Sequence, residues 1–427
     1  MSEVPVIIRD KIKTWKILTF TERDWSSAFQ GRTLTFRKGY KTYKENPYWE
    51  QLCEKENMPI SEFFNISKTE DTNEFWLYYD YKYTKDVFPE NSDVIQAIKW
   101  TDLGLTELSG KDSTLWIGNK GAHTPCHMDT YGCNLVAQIK GRKLWILIPP
   151  GETDSLSPVR VPYEESSVYS SYNFYTPNSN LLRIKNARKV ILNPGEVLFI
   201  PKHWWHYVEN LEVAVSVNVW IPEGSDDGSR LEEALVRHYV SNVCQTLGED
   251  EAKALLNPNE YGLLEAPFEA ESLRFVIDNC RGNGERRGAS DDLRKLKPFL
   301  EKNGDVIPEF PPAEVDRFVK SKSRDLGYEL RSPKSRNLEG GCEEDNISTS
   351  RALINSYCHP KVVALIKEKI LGEFAAIFLE DIISSSVPGY AGYDGIPEKL
   401  YIIQKKTESQ LVLHAGDSHD LQAKMSN

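Results

Sequence analysis

Asn134-Leu135-Val136-Ala137-Gln138-Ile139-Lys140-Gly141-Arg142-Lys143-Leu144-Trp145-Ile146-Leu147-Ile148-Pro149-Pro150 reads as two apolar strands folded back about Gly141 and ended by a pair of prolines. Apolar, partly β-branched residues broken by a glycine turn are the pattern of a buried hairpin. The same cadence continues on both sides. Residues 114–117, 190–192, 197–200 and 213–221 are short apolar runs separated by Gly, Pro and Asn, as in Asn193-Pro194-Gly195. Closely spaced strands without helical periodicity between them predict an antiparallel sandwich or barrel. One residue is out of character. Lys143 opens an apolar return strand, and a buried ammonium needs a partner. Lys143 is therefore either exposed at the hairpin end or faces an anion, and spacing leaves both open.

Outward from this core the pattern changes. Residues 1–112 mix short apolar runs with helical patches and include the aromatic stretch Glu74-Phe75-Trp76-Leu77-Tyr78-Tyr79-Asp80-Tyr81-Lys82-Tyr83. They are expected to pack on the strand-rich core at 113–222, the segment in which the chemistry-bearing residues fall. Apolar residues at 3–4 spacing predict a helix over 230–246, within a helical extension at 223–285, and a shorter helix over 272–280. Residues 286–348 carry Gly, Pro, Ser and charges of both signs without periodicity, and are expected to be a disordered linker. A short helical unit at 349–385 and a polar tail at 386–427 complete the chain.

The 427 residues carry 52 basic and 63 acidic side chains, a net charge of −11. That balance argues against nucleic acid as the main partner, which requires a dense cationic footprint. The seven cysteines form no Cys-x-x-Cys pair, consistent with a reducing compartment, so the expected address is the cytoplasm, with the nucleus as the alternative. The N-terminus lacks the pattern of a signal peptide, and no apolar run is long enough to span a membrane.

The chemistry is concentrated in two windows that hold four of the eight histidines: Gly121-Ala122-His123-Thr124-Pro125-Cys126-His127-Met128-Asp129 and Pro201-Lys202-His203-Trp204-Trp205-His206-Tyr207. In a strand, residues i and i+2 share a face, so His127 and Asp129 can present an imidazole and a carboxylate to one centre. The strand at 197–200 delivers His203 or His206 as a distant third ligand. Two histidines and one carboxylate leave three positions open on an octahedral metal, the pattern of non-haem Fe(II) oxygenases. A lone His-x-Asp is common by chance; the second window and Lys143 give this one weight.

Together with Trp116-Ile117-Gly118, Tyr131-Gly132-Cys133-Asn134, Gly141-Arg142-Lys143 and Val161-Pro162-Tyr163-Glu164-Glu165-Ser166-Ser167-Val168, these windows resemble the JmjC domain of the Fe(II)- and 2-oxoglutarate-dependent oxygenases. The similarity is greatest to the asparaginyl-hydroxylase-like branch, and within it to the JmjC proteins associated with small heat-shock proteins. It covers 114–221 strongly. It is weaker through 76–83, the helix after 230 and Leu256-Asn257-Pro258, and marginal beyond 281. The resemblance implies a mainly β double-stranded β-helix, a cupin-like jelly roll, with flanking and C-terminal helices. It implies Fe(II) on His127, Asp129 and His206, with His206 preferred over His203 because it follows the two tryptophans. It further implies 2-oxoglutarate held by Lys143, Thr124 and Tyr78, or Tyr79 in its stead, with Asn134 and Asn218 lining the pocket and O2 as the third reactant.

The activity so implied is hydroxylation of a protein side chain, with 2-oxoglutarate decarboxylated to succinate. The alternative is a JmjC-fold adaptor for a small heat-shock protein. Lysine demethylation ranks lower, because zinc-binding reader motifs and a basic chromatin patch are absent from the sequence; a metal-only cupin isomerase would not need Lys143 and Thr124. Trp145, Trp204, Trp205 and Trp220 are expected in the jelly-roll core, and the helices after 230 are candidates for a homodimer contact.

Overall fold

Side-chain alternation along the strands sorts this protein into layers, and the layers place the site. The computed structural model describes residues 3–69, 74–265, 269–280, 291–330 and 346–384. In chain order the strands are β1 (Val6–Ile8), β2 (Thr33–Tyr40), β3 (Glu54–Pro59), β4 (Phe75–Tyr83), β5 (Thr114–Gly118), β6 (His123–Asp129), β7 (Cys133–Lys140) and β8 (Lys143–Ile148). They continue as β9 (Pro158–Val159), β10 (Ser167–Ser170), β11 (Arg188–Leu192), β12 (Val197–Ile200), β13 (Trp205–Asn210), β14 (Ala214–Ile221) and β15 (Gly304–Val306). Nine form one sheet, in the order β15-β1-β12-β7-β14-β5-β4-β2-β3, and six form the other, β11-β8-β13-β6-β10-β9. Paired strands in both sheets are antiparallel. The two sheets are the walls of a jelly roll flanked by helices.

Each wall has two faces with different chemistry. On the larger sheet, Leu77, Tyr79, Leu115, Ile117, Leu135, Ala137, Val215, Val217 and Val219 point outward into an apolar cluster with Trp15, Trp25, Phe29 and Phe63 from the N-terminal segment. The helix Glu22–Phe29 that carries two of these begins at a reciprocal cap between Thr21 and Asp24. The alternate residues of the same strands, Tyr78, Trp116, Asn134, Val136, Ser216, Asn218 and Trp220, line an internal cavity. Residues 1–112 thus cover the outside of the larger sheet and extend it by β1–β4. At the turn between β7 and β8, Gly141 has φ +63°, and a Cβ there would lie 2.0 Å from the Val213 carbonyl oxygen. Only glycine fits that turn without strain.

The smaller sheet buries Cys126, Met128, Ile146, Ile148, Trp205 and Tyr207 on its outer face. The cover comes from a region expected to be a disordered linker. Within 286–348 the chain forms the helix Asp291–Asn303, the strand β15 paired with β1, and the helix Pro312–Asp325. Phe310, Val315 and Val319 seal the outer face of the smaller sheet. Lys322 reaches Glu209 of β13 in an ion pair whose side chains are 13% and 8% exposed. The expectation failed because this helix is mostly polar: its few apolar residues are enough to cover one patch, and the sheet supplies the rest of the core. Residues 281–290 and 331–345, and the polar tail at 386–427, lie outside the described residues.

The helix Asp226–Cys244 covers most of the one expected over 230–246, and Glu269–Asp278 most of the shorter one expected over 272–280. The apolar face of the former packs within its own chain: Val236, Val240 and Cys244 join Val161, Tyr163, Leu255, Leu256 and Ile354. A buried ion pair between Arg160 and Glu233, 2.6 Å apart, ties this helix to the segment after β9. None of the helices among the described residues is long and apolar enough to cross a membrane.

The docking of Pro312–Asp325 can be tested through its buried ion pair. Lys322→Met leaves the Glu209 carboxylate without its cation and is expected to cost about 3 kcal/mol, whereas the double change to Met and Gln costs less. Urea midpoints of the three proteins measure both quantities.

Candidate metal centre and its cavity

Strand register builds the centre. β6 and β13 pair so that His127 stands directly opposite His206, with a register shift between His206 and Val208. The two rings are 4.2 Å apart, centroid to centroid. Asp129 lies two residues beyond His127 on the same face, and its Oδ1 is 3.7 Å from His127 Nε2. One ligand atom from each of His127, Asp129 and His206 lies within 4.8 Å of the others.

The donor set is prepared for a divalent cation. Nδ1 of His127 is 2.9 Å from the Pro125 carbonyl oxygen, and Nδ1 of His206 is 3.0 Å from that of Trp204. A carbonyl can only accept, so each Nδ1 carries a proton, and in the neutral ring that leaves the Nε2 lone pair for a metal. Burial, reinforced by the neighbouring His127, lowers His206 to about 4 and keeps its imidazole neutral. Trp220 Nε1 donates to Asp129 Oδ2 at 3.0 Å, which leaves Oδ1 facing the histidines. Two imidazoles and one carboxylate fit Fe(II).

His203 takes no part in the triad. It sits at φ +66°, its backbone N–H donates to the Asp129 carbonyl oxygen at 3.2 Å, and its Nε2 is 2.9 Å from the Thr130 carbonyl oxygen.

The cavity holds every residue expected to contact metal or cosubstrate: Tyr78, Thr124, His127, Asp129, Asn134, Lys143, His206 and Asn218. Tyr79 faces the opposite way, into the N-terminal aromatic cluster against Phe29 and Phe36. Lys143 is 2% exposed. Its Nζ donates to Ser216 Oγ at 2.7 Å and lies 3.4 Å from the Tyr78 hydroxyl, bridging one sheet to the other. No carboxylate among the described residues pairs with it. Burial lowers it to about 7, with Asp80 acting weakly in the opposite sense. Trp145, two residues along the same strand face, has its Nε1 buried without a hydrogen-bond partner. A cation and an unpaired donor at the buried end of a cavity fit the far carboxylate of a bound dianion. Asn218 accepts from Trp116 Nε1 at 2.7 Å and donates to Asn134 Oδ1 at 3.0 Å, so both amides are fixed.

Of the four tryptophans expected in the core, Trp145 joins a buried cluster with Val136, Leu147 and Leu198 and also borders the cavity, Trp220 lines the cavity instead, and Trp204 and Trp205 point away to Glu3 and Thr153. Ser216 and Tyr169, whose ring lies 5.9 Å from His127, were not singled out from the sequence. Period-two alternation from Asn218 would have found Ser216; nothing local marks Tyr169, which comes from β10.

The fold and this cluster define a cupin-type protein with two histidines and one carboxylate placed so that they could hold a metal ion. A family model for the cupin-like domain matches residues 1–227, more than half of the chain, and the chain belongs to that family. It is 40% identical over 272 residues to HSPB1-associated protein 1 of Homo sapiens, covering 60% of this chain and 55% of that protein. To the HSPB1-associated protein 1 homolog of Danio rerio it is 35% identical over 346 residues, 78% of this chain and 71% of the relative. The 2-oxoglutarate and iron-dependent oxygenase JMJD4 of Gallus gallus is 29% identical over 198 residues, 42% of this chain and 43% of the relative. The chain spans little more than half the length of the mammalian HSPB1-associated proteins from cattle and human.

Two outcomes follow from the geometry. Mn(II) at a hundredfold excess over its Kd is expected to stabilise the protein by about 2.7 kcal/mol, and His127→Ala to abolish that gain; thermal melts with and without the ion measure it. Second, Lys143 near 7 lies below its ordinary 10.5, so between those values the unfolded chain binds more protons and stability rises with pH. Without an anion bound, wild type should gain on Lys143→Met by up to about 1.4 kcal/mol per pH unit from pH ~7 upwards, read as the difference in urea midpoints.

Proposed function

We propose that this chain is an Fe(II)- and 2-oxoglutarate-dependent oxygenase that hydroxylates a side chain of another protein. The observation that carries the reading is the convergence of His127, Asp129 and His206 in one cavity with a buried, carboxylate-free Lys143. When bound, iron and 2-oxoglutarate supply oxidising power from O2, with succinate and CO2 as coproducts.

The chain's own residues do the positioning. His127 and His206 offer Nε2 because their Nδ1 protons are committed to backbone carbonyls. Trp220 holds Asp129 in a one-oxygen pose, which keeps coordination positions free. Lys143, with Tyr78 and Thr124 beside it, provides a charge-assisted anchor for the distal carboxylate of the cosubstrate. Asn134 and Asn218, held by Trp116, form a polar wall of fixed orientation. Preorganised contacts of this kind fix a small dianion without reorganisation after binding.

A second reading follows from the relatives named for association with HSPB1. In it, the chain binds a small heat-shock protein and the metal centre is structural or idle. Chromatography of the chain with HSPB1 tests the association, and succinate release from 2-oxoglutarate separates the two readings. Wild type should form succinate. His127→Ala should lose it entirely, and Lys143→Ala should raise the 2-oxoglutarate requirement about tenfold or more, the loss of a charge-assisted bond. Absence of succinate together with absence of metal binding in the wild type would end the enzyme reading.

A further inference from the structure

The buried end of the cavity holds a lysine whose surroundings are complete only for its uncharged form. Lys143 Nζ meets two side-chain oxygens, Ser216 Oγ at 2.7 Å and the Tyr78 hydroxyl at 3.4 Å. Thr124 hydrogen-bonds the Tyr78 oxygen in turn, which leaves the phenol proton to be given to Nζ. A neutral amine has two N–H donors and one lone pair, and two hydroxyls satisfy it. An ammonium has three N–H donors and a full charge. For that form the same pocket lacks both a third acceptor and a counter-ion, and a buried charge without either is costly.

Nothing else around Lys143 supplies them. From β4 comes Asp80, already held by Arg37 of β2. From β14, Asn218 is committed to Trp116 and Asn134. Trp145, on β8 itself, has a ring nitrogen that can only donate. The cross-strand partners of Lys143 are Asn210 of β13 and Leu192 of β11, neither of them ionisable. On β6, Asp129 accepts from Trp220 and turns its other oxygen to His127. Burial accordingly lowers Lys143 to about 7, with Asp80 the one charge opposing it. Tyr78 is pushed the other way by burial and stays a phenol.

We propose that 2-oxoglutarate enters this cavity together with a proton: Lys143 waits as a neutral amine and becomes an ammonium when the distal carboxylate arrives as its third acceptor and counter-ion. The proton comes from solvent and forms an N–H bond on Nζ; the ligand stays a dianion, since its carboxyl groups titrate at roughly 4 or below. This rests on the oxygenase reading for the identity of the ligand, and deepens it by making occupancy of the site depend on pH. The sign follows from linkage. Below about pH 7 the amine is protonated before the ligand arrives, and affinity is flat. Above it, each pH unit removes about nine-tenths of the protein that is ready to bind, and affinity falls about tenfold.

Calorimetry counts the proton without turnover. 2-Oxoglutarate is titrated into the full chain with its metal site saturated by Mn(II), in pairs of buffers of unequal ionisation enthalpy. Wild type is expected to take up about one proton per ligand at about pH 8 and close to none at about pH 6, with Kd rising about tenfold between pH ~8 and pH ~9. Lys143→Arg carries its charge at every pH and is expected to bind with no uptake and a flat Kd. Glu50 is another cavity residue that burial pushes up to about 7, so Glu50→Gln is expected to keep the wild-type proton count. Wild-type binding without uptake at pH ~8, uptake that persists in Lys143→Arg, or uptake lost in folded Glu50→Gln overturns the proposal and leaves the oxygenase reading standing. Failure of 2-oxoglutarate to bind at any pH overturns both. The wild-type count needs no variant, so misfolding of Lys143→Arg leaves it decisive.

Discussion

The pairing of β6 with β13 is the constraint on which the rest depends. Directly opposed residues in an antiparallel pair sit within about 4.5–5.5 Å of one another, so the register that sets His127 against His206 brings two imidazoles to one point without help from any loop. Slipping that register by one residue would send one histidine to the outer face, among Cys126, Met128, Trp205 and Tyr207. The apolar residues alternating with the ligands therefore hold the metal geometry as firmly as the ligands' own hydrogen bonds do. The helix Pro312–Asp325 belongs to the same device, because it covers the outer face whose burial fixes the register.

A second consequence of two facing sheets is division of labour within the cavity. One end is buried and cationic, with Lys143 stretched from the smaller sheet to Ser216 and Tyr78 of the larger. The other is aromatic and anionic, around Glu50, Glu164 and Asn257. The three candidate metal ligands lie on the smaller sheet, and Trp220 on the larger fixes the pose of the one carboxylate among them. Low local dielectric makes each unpaired charge costly, and hence selective for a complementary partner.

Much of this was legible in the sequence, and for identifiable reasons. The hairpin about Gly141 and the short runs of β14 and β12 carry period-two or all-apolar patterns that do not depend on partners. His127 and Asp129 share a face by alternation alone, and the scarcity of histidine made the second window conspicuous. Alternation also assigns Tyr78 and Tyr79 to opposite faces; only packing of Tyr79 against Phe29 and Phe36 says which of them points inward. Reading 286–348 as a linker failed because a polar helix with one narrow apolar stripe has little signal until the surface it covers is known. Trp220 was assigned to the core because size and apolarity do not reveal whether a ring faces packed side chains or a cavity.

What the sequence determined by itself was local: strand periodicity, the turn at Gly141, and the residue types able to bind a metal. The tertiary structure decided everything that needs two distant segments at once. It chose His206 over His203 by register, buried Lys143 by laying β8 across from β14, and joined Glu50, Glu164 and Asn257 around one opening. The physical reason is that strand periods and turn conformations are set by neighbouring residues in the chain, whereas burial and charge balance belong to the surfaces that folding brings together.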